Sequence, residues 1–261
     1  MAEIAHARDR LEEWRRRRHN AGRMLVAVDF DGTLSPIVER PEDATILPAA
    51  RSALWDLARR ADTVVAVVSG RGLTDVRGRV GLDGLYYAGN HGLEIEGPDL
   101  ERVHPAAAAA RPRLEAMARQ LSAELSAETG VQVEDKGLTL SVHYRRAGTG
   151  AAERVRPVVY RVCDAPGLRV TEGKKVLEVR PAVDWDKGRA TSYLLEVVVP
   201  PATPALFIGD DRTDEDAFRV LGEAGAGVLV SASPPADTAA SAYVRSPAEV
   251  AELLEGLARG E

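Results

Sequence analysis

Met24-Leu25-Val26-Ala27-Val28-Asp29-Phe30-Asp31-Gly32-Thr33 decides how this 261-residue chain is read. A short run rich in Val and Leu that stops at Asp-Gly is the pattern of a buried strand followed by a turn. Working outward, Thr63 to Val68 reads as a second buried strand, and Ala205 to Ile208 and Ala226 to Val230 repeat the pattern. Helical periodicity fills the gaps. Pro48 to Arg60 has proline in its first turn and Leu54, Leu57 and Ala58 on one face, and further helices fit about 186–198, 213–222 and 246–258. Strand and helix in alternation predict an α/β fold with a doubly wound, parallel, Rossmann-like sheet.

The middle of the chain breaks this alternation. An Ala-rich helix is predicted over 105–128, then paired strands at 131–135 and 138–144, a helix at 150–163, and strands at 168–172 and 175–180. Lys136-Gly137 and Gly173-Lys174 fit hairpin turns. The expectation is a discontinuous core, residues 1–97 and 182–261, with a smaller α+β cap domain inserted at 98–181. The inserted segment carries a net charge of +3 and the remainder −9, within a total of −6. A mildly basic cap over an acidic core suits an anionic substrate.

The negative total implies no attraction to nucleic acid or to a membrane surface. No apolar stretch reaches 18 residues, and charges run through the first 18 residues, so neither a spanning helix nor a secretory leader is expected. The single cysteine, Cys163, cannot form an internal disulfide, which fits a cytoplasmic setting. The basic run Arg15 to Arg18 reads as an anion contact or as a solvated helix end. His19 and His104 read as structural or exposed.

Chemistry gathers at strand ends, where ligands bind in open α/β sheets. Residues i and i+2 share one side of a strand, so the carboxylates of Asp29 and Asp31 are expected to converge. Like charges that close need a cation or a proton, and an all-oxygen donor set suits Mg²⁺; a solvated turn also accounts for Asp-Gly-Thr. Ser69, in Val67-Val68-Ser69-Gly70-Arg71, fits a phosphate-holding hydroxyl or an ordinary helix cap. Lys187, in Asp186-Lys187-Gly188, fits a neutralising cation at a helix start or a surface lysine. Gly209-Asp210-Asp211-Arg212-Thr213-Asp214-Glu215-Asp216 packs five acids into seven residues after a buried strand. Some suit the helix start, and the density asks for a cation at one or more of them.

The ordered set Asp-x-Asp-Gly-Thr, Ser-Gly-Arg, Lys-Gly and Gly-Asp-Asp-x-x-Asp resembles the haloacid dehalogenase superfamily of phosphatases. Ser69 and Lys187 are 118 positions apart, and the gap falls where that superfamily inserts its larger type of cap. Beyond the shared motifs, Ser35-Pro36-Ile37, Gly89-Asn90-His91-Gly92-Leu93-Glu94 and Gly173-Lys174-Lys175-Val176-Leu177-Glu178-Val179-Arg180-Pro181 are similar to the trehalose-6-phosphate phosphatase family, over roughly residues 24–255.

The resemblance implies hydrolysis of trehalose 6-phosphate to trehalose and phosphate, the last step of trehalose biosynthesis. It makes Asp29 the nucleophile, Asp31 the general acid/base, and Ser69 and Lys187 the holders of the phosphoryl oxygens. Mg²⁺ is assigned to Asp29, the Asp31 backbone carbonyl and Asp210, with Asp214 supporting the metal's waters or Lys187. Sugar contacts are expected from Glu134, Lys136, His143, Arg145, Lys174 and Glu178 of the cap and from Asn90 and His91 of the core. A solvated strand face accounts for each cap residue taken singly. The implied metabolic partner is a trehalose-6-phosphate synthase, and the chain is expected to be a monomer whose cap closes about hinges near residues 97 and 182. Rival readings are another sugar-phosphate phosphatase, acting on a sucrose, glucosylglycerate or hexose phosphate, and a non-catalytic phosphosugar-binding module.

Overall fold

The computed structural model describes residues 4–222 and 225–259. These form two compact units, one from Met1–Glu101 with Trp185–Glu261 and one from Arg102–Asp184. Among the described residues, nine strands form one sheet. Numbered along the chain, its spatial order is β1 (Ala5–His6), β13 (Ala242–Val244), β12 (Gly225–Val230), β11 (Ala205–Gly209), β2 (Met24–Val28), β3 (Thr63–Val68), β4 (Tyr86–Gly89), β5 (Glu94–Gly97) and β6 (Leu100–Val103). Every pairing from β1 through to β4 is parallel, and β4 with β5 is antiparallel.

Successive strand residues face opposite ways, and both faces are covered. Val26, Val28, Val65, Val67 and Ile208 pack with helices α1 (Ala7–Ala21), α2 (Pro48–Ala58), α3 (Leu73–Val80) and α8 (Pro247–Ala258). Leu25, Ala27, Val64, Ala66, Val68 and Phe207 pack with α6 (Lys187–Val197) and α7 (Asp214–Val220). A strand buried on both sides is continuously apolar, which is why the pattern at 24–28 could be read without alternation.

The second unit has a four-stranded sheet in the order β7 (Gln132–Asp135), β8 (Leu140–His143), β10 (Val176–Pro181) and β9 (Leu168–Gly173), all antiparallel. One face buries Leu140, Val142, Leu177 and Val179 against α4 (Pro105–Glu124) and α5 (Ala151–Val162). Cys163 ends α5 inside this core, and burial pushes its thiol up to about 11.

Arg15 to Arg18 are not simply a solvated helix end. Arg15 Nε donates to the Gly256 carbonyl at 3.0 Å, and Arg18 is buried with Nη1 donating to Leu257 at 2.7 Å. The last carbonyls of α8 lack intrahelical donors, and these arginines supply them. No described helix is long and apolar enough to cross a membrane.

Candidate active site

From β2 the chain builds outward through β3 and β4, and it returns on the other side of β2 with β11, β12 and β13. The order therefore reverses between β2 and β11, the place where open α/β sheets leave a crevice at the strand ends. Asp29 leaves β2 with its amide donating to Ile208 of β11 at 2.8 Å. Gly32 then turns the chain at φ +78°, its amide bonding the Ser35 carbonyl at 2.8 Å. Space demands glycine there as well, because a Cβ would lie 2.1 Å from Asp210 Oδ2. At Gly209 a Cβ would lie 2.2 Å from Asp214 Cγ, so the end of β11 is bare to admit that carboxylate.

Three buried charges meet in this crevice. Lys187, the first residue of α6, places Nζ 2.9 Å from Asp29 and 2.7 Å from Asp214. Asp186 caps the helix by accepting from the Arg189 amide at 2.8 Å, which fixes the turn that carries Lys187. Asp214 uses its other oxygen to accept from the amides of Asp210 and Asp211, at 3.0 and 3.1 Å. Burial disfavours the Lys187 ammonium, but Asp214, Asp29 and Asp211 outweigh it and hold the lysine charged far above its ordinary range. For Asp29, burial and the neighbouring Asp214, Asp210 and Asp211 push the carboxyl up against the pull of Lys187. Burial, then Asp214 and Asp211, raise Asp210 to about 7.

Carboxylate oxygens of Asp29, Asp210 and Asp214 lie within 4.8 Å of one another. One ammonium faces three carboxylates, which leaves a surplus of negative charge. An all-oxygen donor set with that surplus fits a hard divalent cation.

Asp31 is not among the three carboxylates of that cluster. Its two oxygens accept from Arg71 Nε and Nη2 at 2.7 and 2.8 Å. Arg71, from Ser69-Gly70-Arg71, had no individual role in the sequence reading, because its partner is 40 residues away. The other acids after β11 also divide their work. Asp211 accepts from Thr213 amide and hydroxyl, Glu215 from Thr238 and Ala239, and Asp216 from Arg219.

Ser69 is buried at the end of β3, where its hydroxyl accepts from the Arg71 amide at 3.2 Å. The Asn90 amide group donates to Glu94 at 2.7 Å, and Glu94 also accepts from the Leu73 amide. Asn90 and His91 both take the left-handed backbone, φ +51° and +57°, and both are buried. Asn90 thereby ties a strained turn to the start of α3.

In the second unit, cross-strand register gathers the polar candidates on the sheet face opposite the helices. Glu134 and Glu178 both pair with Ser141, from either side. His143 Nε2 lies 2.8 Å from Glu134, and Lys136 Nζ is 3.1 Å from Glu178. Arg145 reaches the Lys174 carbonyl at 3.5 Å, a weak contact. Lys174 itself sits with Lys175 (φ +61°) in the two-residue turn between β9 and β10.

The larger unit is thus an open parallel α/β sheet with an aspartate leaving its central strand, a buried lysine and an acidic loop after the adjacent strand. A haloacid dehalogenase-like hydrolase from Bacteroides thetaiotaomicron superposes with a TM-score of 0.62 at 18% identity, covering 89% of this chain and 98% of that one. A structure described as a trehalose-6-phosphate phosphatase related protein gives 0.78 at 23% identity, covering 90% and 96%. Both are likenesses of fold. The family model described as trehalose-phosphatase matches residues 27–248, so this chain belongs to the trehalose-phosphatase family. The trehalose-phosphate phosphatase of Mycobacterium tuberculosis is 44% identical over 241 residues, which cover 90% of this chain and 61% of that protein. The chain thus spans about three fifths of the length of such curated relatives.

Proposed function

We propose that the chain hydrolyses trehalose 6-phosphate to trehalose and inorganic phosphate through an aspartyl-phosphate on Asp29. The observation that carries this reading is the buried Asp29–Lys187–Asp214 cluster at the reversal point of the sheet. A carboxylate held against a fixed ammonium, in a crevice that excludes water, suits a nucleophile better than a structural ion pair. The family match supplies the substrate class.

In the first step an Asp29 oxygen bonds phosphorus while the bond from phosphorus to the sugar oxygen breaks, and Asp31 gives that oxygen its proton. In the second, water attacks phosphorus, Asp31 takes its proton, and Asp29 departs as a carboxylate with phosphate released. Lys187 and Ser69 hold the phosphoryl oxygens as charge spreads over them. Asp29, Asp210 and the Asp31 carbonyl would hold Mg²⁺, with Asp214 orienting Lys187 and the amides of Asp210 and Asp211 behind it. Bound there, the ion would neutralise phosphoryl charge and screen the attacking carboxylate from it.

The inserted unit serves as the cap for sugar recognition. Its polar sheet face offers alternating acceptors and donors in Glu134, His143, Lys136 and Glu178, the pattern that glucosyl hydroxyls need. Phosphate release from trehalose 6-phosphate with Mg²⁺, measured beside sucrose, glucosylglycerate and hexose phosphates, tests the assignment. Turnover of all four at similar kcat/KM would reject the disaccharide specificity, and no turnover of any would reject the phosphatase.

A further inference from the structure

Arg71 is the residue of this site whose bonding exceeds what a fold-stabilising arginine needs. Its guanidinium is buried under the Asp31 turn, 5.4 Å from the centre of the Phe30 ring. Nε and Nη2 grip both oxygens of Asp31, Nη2 also donates to the Pro41 carbonyl at 2.8 Å, and Nη1 donates to Asp75 at 2.8 Å. Asp75 is held in turn by Arg79, which bonds the carbonyls of Glu42 and Ala44. The chain of contacts runs from α3 and the 41–44 turn through Arg71 to one carboxylate. Among the described residues, no other side chain bonds that carboxylate, and 39% of the Asp31 side chain remains exposed.

We propose that Arg71 is the positioning residue that sets the plane and rotamer of the Asp31 carboxylate for proton transfer, an inference that rests on the acid/base reading of Asp31 given above. A half-exposed aspartate on a turn otherwise samples several rotamers, and only one faces the leaving oxygen. Two parallel N–H bonds fix the carboxylate plane as well as its position, which one bond cannot do. Each Asp31 oxygen uses one lone pair on Arg71 and keeps a second, so the group can exchange a proton with the leaving oxygen while the fork stays in place. Lysine cannot replace this fork, since its ammonium is a point donor. The anchors behind Arg71 are what make the fork rigid.

The test separates positioning from fold maintenance by leaving group. An alkyl sugar oxygen departs only with a proton, whereas 2,4-dinitrophenolate departs without one. Arg71→Ala, Arg71→Lys, Asp75→Asn, Asp31→Asn and the double variant Arg71→Ala/Asp31→Asn are assayed with Mg²⁺ as kcat/KM on trehalose 6-phosphate and on 2,4-dinitrophenyl phosphate. General acid catalysis contributes about 10²–10⁴-fold, so Arg71→Ala and Asp31→Asn are expected to lose that much on the sugar phosphate and less than about 10-fold on the aryl ester. Arg71→Lys falls between, Asp75→Asn shows the same split at about 3–10-fold, and the double variant is no worse than Asp31→Asn alone. Equal losses on both substrates, or additive losses in the double variant, overturn the proposal. If Asp31→Asn itself shows no split, the acid/base reading fails first and Arg71 loses its role with it. Should Arg71→Ala not fold, the split in Arg71→Lys and Asp75→Asn decides.

Discussion

The two units handle charge in opposite ways. In the larger one, Asp29 just after β2 meets Lys187 and Asp214, the first residues of α6 and α7, and all three are buried. In the smaller one, Glu134, Lys136, His143 and Glu178 lie paired and part-buried on the sheet face opposite that unit's core. A buried charge is expensive unless its partners are fixed, so the first arrangement admits few alternatives. The pairs on the smaller unit's sheet face keep some solvent contact, so rearranging them costs less than rearranging the wholly buried cluster. On the function proposed above, reaction chemistry and recognition chemistry would fall on surfaces with different tolerance to substitution.

Substitutions measure that contrast, beginning with the largest effect. Asp29→Asn is expected to cut turnover by at least about 10⁴-fold with the fold intact, as loss of a nucleophile does; ordinary rates with purified variant protein would remove Asp29 from the mechanism. Lys187→Met leaves two buried carboxylates without their cation. It should destabilise the metal-free protein by about 3–5 kcal/mol in urea unfolding as well as abolish activity. An unchanged midpoint would mean that the cluster is wetter than its burial indicates.

The third prediction concerns Asp210. With its carboxyl raised to about 7 in the folded protein against an ordinary 3.8, the native state keeps a proton that the unfolded chain has released between those values. Stability of the metal-free protein should therefore fall as pH rises through that window, by at most about 4 kcal/mol. Mg²⁺ must displace that proton, so its stabilising shift in thermal unfolding should be large at pH 8 and small at pH 5. Equal shifts at both values would contradict this account.

On the smaller unit's polar sheet face, Glu178→Gln or Lys136→Met should lower kcat/KM for trehalose 6-phosphate by about 10–100-fold and leave a small aryl phosphate untouched. Matching losses on both substrates would erase the distinction between the two surfaces. The smallest effect is expected at Arg18→Met, which strips a donor from the end of α8. It should cost about 1–3 kcal/mol and leave KM alone, as read from unfolding and steady-state rates.

What was legible in the sequence follows the same division. Strands β2, β3, β11 and β12 could be read because both-face burial writes continuous apolar runs, and the acids that follow β2 and β11 are adjacent in sequence to them. Strands β1, β4, β5 and β13 were not read, since two to four residues at or near a sheet edge carry too little pattern. The Asp31–Arg71 grip was also hidden. The i, i+2 argument fixes which side a side chain leaves the strand, but a turn at Gly32 and an arginine 40 residues on decide where the carboxylate ends. In the smaller unit the hairpin turns were placed closely enough to locate the strands. The pairing of Lys136 with Glu178 needed the register across β7, β8 and β10, which no single stretch of sequence states.

Cys163 gives the smaller unit its own clock. It is the chain's one thiol, buried in that unit's core and pushed up by that burial, so a disulfide reagent is expected to react only slowly with the native protein. Labelling then proceeds only during excursions that open this core. A single sulfur atom thus reports, without engineered probes, how often the smaller unit breathes, while the unit holding Asp29 stays silent in the same measurement.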